Sequence, residues 1–104
     1  MVLRRGPIGA WCGYVYVGDI DPPKDGWDNT VDVHGGITWD DEDTRFLAGG
    51  HWIGFDCAHA GDYVPGLHMR GYGEDPPKHW TETDAWVELV RLANQVDAYA
   101  RRNG

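Results

Sequence analysis

The sequence predicts an α+β fold, in which a small, mainly antiparallel sheet of three to five strands carries one C-terminal amphipathic helix. Two segments rich in aromatic and β-branched residues, at positions 11–17 and 51–56, have the composition and length of strands. From position 81 onwards, apolar residues instead recur at spacings of three and four, which is typical of a helix. We therefore expect one helix packed on one sheet.

Length and composition indicate a single domain over residues 1–104. A chain of 104 residues has the usual size of one domain with one core. No apolar run approaches the ~20 residues that span a bilayer, and no apolar stretch of signal-peptide length follows the first arginines. We expect a cytoplasmic protein that does not bind a membrane. In that compartment Cys12 and Cys57 are expected to remain thiols.

The charge of the chain limits its partners. A formal charge of −8 argues against general binding to nucleic acid, because phosphate backbones repel an acidic surface. The arginines lie near the two ends of the chain and form no visible cluster. An acidic surface supports solubility, and it also suits a basic partner or mimicry of nucleic acid.

Turn and loop signals separate the predicted strands. Residues 19–29 combine prolines with turn formers and predict a surface loop. Short apolar segments at 31–33 and 37–39 flank a glycine pair, which predicts a β-hairpin. Four adjacent carboxylates at 40–43 predict a solvated connection. Recurrent glycine and proline at 57–80 predict an extended loop region, of a kind that often carries function.

The C-terminal helix is predicted from its cap, its charges and its apolar spacing. Thr81 or Thr83 can cap it, and Glu82 and Asp84 fall in its first turn, where they complement the helix dipole. Basic residues gather at the other end. The predicted buried face consists of Trp86, Leu89, Val90, Ala93 and Val96.

Histidine, cysteine and aspartate residues collect at two predicted strand ends, and these clusters form the candidate site. Each strand there runs into a glycine-bearing turn, so side chains can project from the end of the sheet, and rigidly held loops often carry function. The candidate binding residues are Asp32, His34, Asp56, Cys57, His59 and Asp62.

One interpretation of the clusters is catalytic. In it, Cys57 is a nucleophile, His34 or His59 is its general base, and an aspartate such as Asp62 orients the imidazole. The residue types fit a small hydrolase or transferase. In a strand, Cys57 and His59 would lie about 7 Å apart on one side, so their direct contact requires a turn.

Two further interpretations stay open. In one of them, Cys57 and His59 coordinate zinc or another transition metal together with His34 or His51 and with Cys12 or an aspartate. No C-x-x-C or H-E-x-x-H spacing is present, so we expect no metal or other cofactor. Otherwise these side chains serve structure alone. The histidines and aspartates then bond to loop backbone, and Cys57 is a small buried hydrophobe.

Three motifs resemble those of a family of small bacteriophage and prophage proteins of unknown activity. They are WCGYV at 11–15, DVHGGIT at 32–38 and WIGFDCAHAGD at 52–62. The resemblance implies a phage-type accessory protein made inside the host, a class that includes many binders of host proteins or signalling ligands and some enzymes. It carries no reaction over to individual residues. We therefore expect a protein that binds a host partner or a small ligand through its His/Cys/Asp-rich face.

Overall fold

The computed structural model describes residues 1–6, 9–42, 50–57 and 80–103. Its elements are the strands β1 (Val2–Arg5), β2 (Trp11–Tyr16), β3 (Trp39–Asp41) and β4 (Trp52–Asp56) and the helix α1 (Glu82–Asn103). The strands form one antiparallel sheet in the order β1-β2-β4-β3. The predicted α+β class, with a small antiparallel sheet and a C-terminal helix, is confirmed.

Helix α1 covers one face of the sheet, and its buried side chains meet those of β2 and β4. Leu89 and Leu92 share a core cluster with Ile53 and Phe55. A Cβ atom at Gly13 would lie 2.5 Å from Cε1 of Phe55 and 3.1 Å from Cδ1 of Leu89. Because Gly13 has no side chain, Phe55 and Leu89 can meet directly above β2.

Successive residues of β2 alternate between the two faces of the sheet. Val15 belongs to the core beneath α1. On the opposite face, the ring of Tyr14 meets that of Trp39 at 6.3 Å, and the ring of Tyr16 meets that of Trp52 at 5.4 Å, both nearly edge to face. The sequence left open which face of this strand is the core, and the position of α1 decides it.

Helix α1 begins at a predicted cap, but its buried face is rotated from the predicted one. The Thr81 hydroxyl accepts the Asp84 N–H at 3.0 Å, and the Asp84 carboxylate accepts the Thr81 N–H at 3.1 Å. This reciprocal arrangement is a capping box. The prediction that Trp86 and Val90 are core residues was wrong, because both are exposed. The buried positions of α1 are Ala85, Leu89, Leu92 and Val96.

The hairpin predicted over residues 31–39 was also wrong. Residues 31–33 join no strand ladder, and β3 pairs with β4 instead. Their two valines pack into the core. Between them, the Asp32 N–H donates to Oε1 of Gln95 and Nε2 of Gln95 donates to the Asp32 carbonyl, each at 2.7 Å. A side-chain amide from α1 thus replaces the partner strand that a hairpin would have supplied.

The other sequence predictions for this part of the chain are confirmed in outline. The strand at 51–56 is β4, although its ladder begins one residue later. Residues 19–29 contain no strand or helix, as expected of a loop. The prediction of a solvated connection at 40–43 was partly wrong, because Asp40 and Asp41 belong to β3. As an edge strand, β3 pairs its backbone with β4 and keeps both carboxylates exposed.

Strand β1 was not predicted, since half of its residues are arginines that suggested a solvated terminus. It pairs antiparallel with β2. The guanidinium of Arg5 lies 5.3 Å from the centre of the Trp11 ring, a cation–π contact that accommodates a charged residue against the sheet.

Two further expectations concern the chain as a whole. The loop region predicted at 57–80 falls almost entirely outside the described residues. A single domain over 1–104 stays a prediction. In the described ranges, no helix has both the length and the apolar composition required to cross a bilayer.

The paired amide of Gln95 provides a stability test. Gln95→Ala removes the partner of both Asp32 backbone groups, and we expect it to lower the free energy of unfolding by about 1–2 kcal/mol, since each such bond contributes ~1 kcal/mol. Asn94→Ala, at the adjacent exposed position, is expected to change it by less than about 0.5 kcal/mol. Urea denaturation measures both variants, and equal effects would contradict the role of Gln95.

Candidate functional site

The predicted site residues lie in three different surroundings. Asp32 and His34 lie beside α1, Asp56 lies on the sheet face opposite α1, and Cys57 lies in the core. The remaining two, His59 and Asp62, lie outside the described residues. The sheet therefore separates Asp56 from Asp32 and His34, whereas Cys57 lies on their side of the sheet but is buried in the core.

Asp32 and His34 border a cleft of about 250 Å³ beside the N-terminal half of α1. The imidazole of His34 packs against the Trp80 indole, with ring centres 4.6 Å apart. Nη1 of Arg91 lies 3.2 Å from Oδ2 of Asp32. The side chains that line the cleft are Trp80, Asp84, Val87, Glu88 and Arg91.

Arg91 is fixed between two carboxylates at this cleft. Its Nε donates to Oε1 of Glu88 at 2.6 Å, and its Nη1 donates to Asp32. The hydrogen bond to Glu88 is the largest cause of the raised pKa of Arg91, and Asp32 adds to it. The guanidinium is therefore held between two carboxylates while remaining exposed to solvent.

Three large apolar side chains are exposed next to the cleft. Trp86, Val87 and Val90 are 39%, 65% and 41% exposed, and we call them the outer stripe. Trp86 and Val90 are four residues apart and so are neighbours on the helix surface, while Val87 also lines the cleft. Apolar spacing in the sequence had pointed to Trp86 and Val90, but as core residues, and it had not pointed to Val87.

Asp56 lies in a polar row on the face of the sheet opposite α1. The strand register pairs Arg4 with Cys12 and Cys12 with Asp56, so their side chains are neighbours across three strands. Burial, followed by the charge of Asp56, raises the pKa of Cys12. Burial and the nearby Cys12 raise the pKa of Tyr14 to about 12. Both groups are consequently protonated at neutral pH.

The sequence did not place Arg4 or Tyr14 near the candidate site. The period-two alternation of β2 already put Tyr14 and Cys12 on one face. The pairing that brings Arg4 and Asp56 to the same row depends on strand register, which a single strand's sequence does not contain.

Cys57 is a core residue at the end of β4. It is 1% exposed and belongs to the cluster beneath α1. Its N–H donates to the carbonyl of Trp11 at 2.9 Å. Cys12 lies on the other face of the sheet, and the two cysteines form no disulfide. The role of Cys57 as a nucleophile stays a prediction, because His59 and Asp62 lie beyond the described part of the chain.

A metal centre is not assembled by the residues that the structure describes. Across these ranges, no three His, Cys, Asp or Glu side chains converge in a way that would hold an ion. Cys12 and Cys57, both considered as zinc ligands, face opposite sides of the sheet. A zinc site built around His59 stays a prediction.

Comparison with family models, curated proteins and solved structures gives no match. The resemblance to bacteriophage proteins therefore stays a prediction from the three motifs.

The two thiols are expected to react slowly with iodoacetamide in the folded protein. Alkylation requires the thiolate. A raised pKa lowers the thiolate fraction of Cys12 between about pH 7 and 9, so we expect it to react several-fold more slowly than cysteine in an unstructured peptide. Its rate should rise as the pH increases further. Cys57 should react only after unfolding, since it is buried.

Mass spectrometry of the alkylated peptides over time separates the two cysteines. An unfolded sample in urea gives the reference rate for each of them. If Cys57 were alkylated faster in the folded protein than in the unfolded reference sample, this result would contradict its assignment to the core. It would support a nucleophilic cysteine.

Proposed function

We propose that this protein is a phage-type accessory protein that binds a protein partner, without catalysing a reaction, through a surface formed by the cleft and the outer stripe. The observation that carries the proposal is the outer stripe itself. Trp86, Val87 and Val90 are exposed on a helix whose opposite side is buried. Exposed apolar groups with a polar border are typical of protein-binding surfaces, and tryptophan is enriched among the residues that dominate binding energy.

The energy available from the outer stripe is useful but limited. Full burial of one large apolar side chain contributes about 1.5–3 kcal/mol, so the exposed parts of three such residues represent on the order of 3 kcal/mol. Association costs about 4–15 kcal/mol in lost translational and rotational freedom. The stripe therefore needs additional contacts, and the polar border of the cleft is the nearby source of them.

The cleft contributes fixed polar groups beside the stripe. Asp32 and Arg91 are both exposed, and their ion pair holds them in place before a partner arrives. His34 is held against Trp80. The surface thus retains Asp32 and His34 from the predicted binding set, whereas Asp56 and Cys57 lie elsewhere. Because the chain carries a charge of −8, a partner surface with basic residues around an apolar centre is the best complement.

The geometry favours a protein partner over the alternatives that the sequence left open. The cleft volume of about 250 Å³ lies below the ~300–1,000 Å³ of sites that enclose drug-sized ligands. For a small Cys/His-dependent hydrolase or transferase, the described residues supply a buried Cys57 and a protonated Cys12. Neither arrangement supports a nucleophile.

Substitution of Val87 tests the proposal. Val87→Lys places a charge in the stripe, and we expect it to weaken partner binding at least about tenfold, because it removes apolar contact and repels a basic partner. The matched control is Ala98→Lys, which adds the same charge at another exposed position of α1, ~16 Å further along the helix. It should change affinity less than about twofold.

The partner is first captured from a bacterial host lysate on immobilised protein and identified by mass spectrometry. Its purified form is then titrated calorimetrically with the wild-type protein and both variants, after urea denaturation has established equal stability. Equal affinity of all three proteins, or capture of no partner by the wild-type protein, would contradict the proposal.

A further inference from the structure

A second, smaller pocket lies where the segment after β2 meets the start of β4. Its volume is about 160 Å³. Its lining comprises Gly18, apolar residues, which we call the floor, and two polar residues, which we call the rim. The floor consists of Val17, Ile20, Pro22 and Trp27, and the rim of Glu42 and His51.

The floor is held in place by the fold. Trp27 is buried and packs edge-on against Tyr99 of α1, with ring centres 5.2 Å apart. The Ile20 N–H donates to the Val17 carbonyl at 3.1 Å, and the Val17 N–H donates to the His51 carbonyl at 2.9 Å. The pocket is therefore preformed, and a ligand would not have to order it.

The rim presents hydrogen-bond acceptors. Nε2 of His51 is hydrogen-bonded to Oδ1 of Asp40. In the neutral ring, Nε2 carries the proton that this carboxylate accepts, which leaves Nδ1 as an acceptor. Nδ1 lies 3.9 Å from Oε1 of Glu42. With the ring in this neutral form, the two described rim side chains present a pair of acceptors.

We propose that this pocket binds a primary alkylammonium group, with the alkyl chain on the apolar floor and the ammonium between His51 and Glu42. An ammonium has three donors and no acceptor, which matches the rim. Since the two acceptor atoms are 3.9 Å apart, one nitrogen can lie within ~3 Å of both. The volume suits a group of side-chain size.

The charge of the whole chain adds to this selectivity. At −8 it attracts small cations and repels anions. The ammonium group can come from a free alkylamine or from a lysine side chain of another protein, because both present the same head and a similar chain. The pocket shares no residue with the cleft or the outer stripe, so this proposal does not depend on the proposed function.

An NMR titration tests the pocket directly. We expect n-butylammonium chloride to shift the Ile20 methyl and His51 ring signals in a saturable way. Its uncharged counterpart, n-butanol, should bind at least about tenfold more weakly, because it lacks the charge and two of the three donors. A Gly-Gly-Lys-Gly-Gly peptide, titrated in parallel, distinguishes a peptide lysine from a free amine as the source.

Two substitutions test whether the rim is responsible for n-butylammonium binding. Glu42→Gln should weaken n-butylammonium binding at least about fivefold, because it removes a charged acceptor. Asp41→Asn removes the same charge one residue away and keeps the Oδ1 atom that accepts the Glu42 N–H. Its affinity should stay within about twofold of wild type.

Backbone amide spectra confirm that both variants are folded before they are titrated. Three results would each overturn the proposal: no saturable shift at Ile20 in the wild-type protein, equal binding of n-butanol, or equal weakening by the two substitutions. The last of these would assign the binding to the overall charge of the chain.

Discussion

The packing of Leu89 and Phe55 over Gly13 sets the position of α1, and the surfaces of the protein depend on that position. A side chain at position 13 would overlap Phe55, so only glycine permits this approach. Once Leu89 is placed there, its neighbours at helical spacing are buried with it, and the outer stripe faces away from the sheet. The same position brings Gln95 and Arg91 within reach of Asp32.

The position of α1 also explains how the loop around Asp32 becomes part of the proposed binding surface. The segment around Asp32 has no strand partner in the sheet, yet its valines are buried and its backbone is satisfied by Gln95. Because neighbouring residues of an extended segment point in opposite directions, the Asp32 carboxylate faces outward to Arg91. Two residues after Asp32, His34 packs against Trp80, which lies just before the start of α1. The helix and Trp80 thereby line the cleft and hold Asp32 and His34 beside it.

Much of the fold could be predicted because its signals are local. Period-two alternation identified β2 and β4, and cap residues with apolar spacing identified α1. The failures have non-local causes. Residues 31–33 resemble a hairpin strand, but the group that satisfies them is 63 positions away in the chain. Helix α1 carries two apolar stripes, and the sequence of the helix does not say which one the sheet covers.

The candidate site was less predictable for the same reason. Asp56 and Cys57 are adjacent in the sequence, and strand alternation alone separates them, with Asp56 beside Cys12 and Cys57 in the core. Proximity in the sequence suggested one cluster where the fold makes two environments. Residues of the surface that we propose for binding, such as Trp86 and Val87, carry no chemical motif, and only the structure shows that they are exposed.

The orientation of α1 is tested most directly by truncating two adjacent helix residues and comparing their free energies of unfolding. Leu89 is buried in the core and Val90 belongs to the outer stripe. We expect Leu89→Ala to cost about 2–5 kcal/mol, as buried leucines do, and Val90→Ala to cost less than about 1 kcal/mol. Equal costs, or a larger cost at Val90, would contradict the account, because they would place the outer stripe in the core.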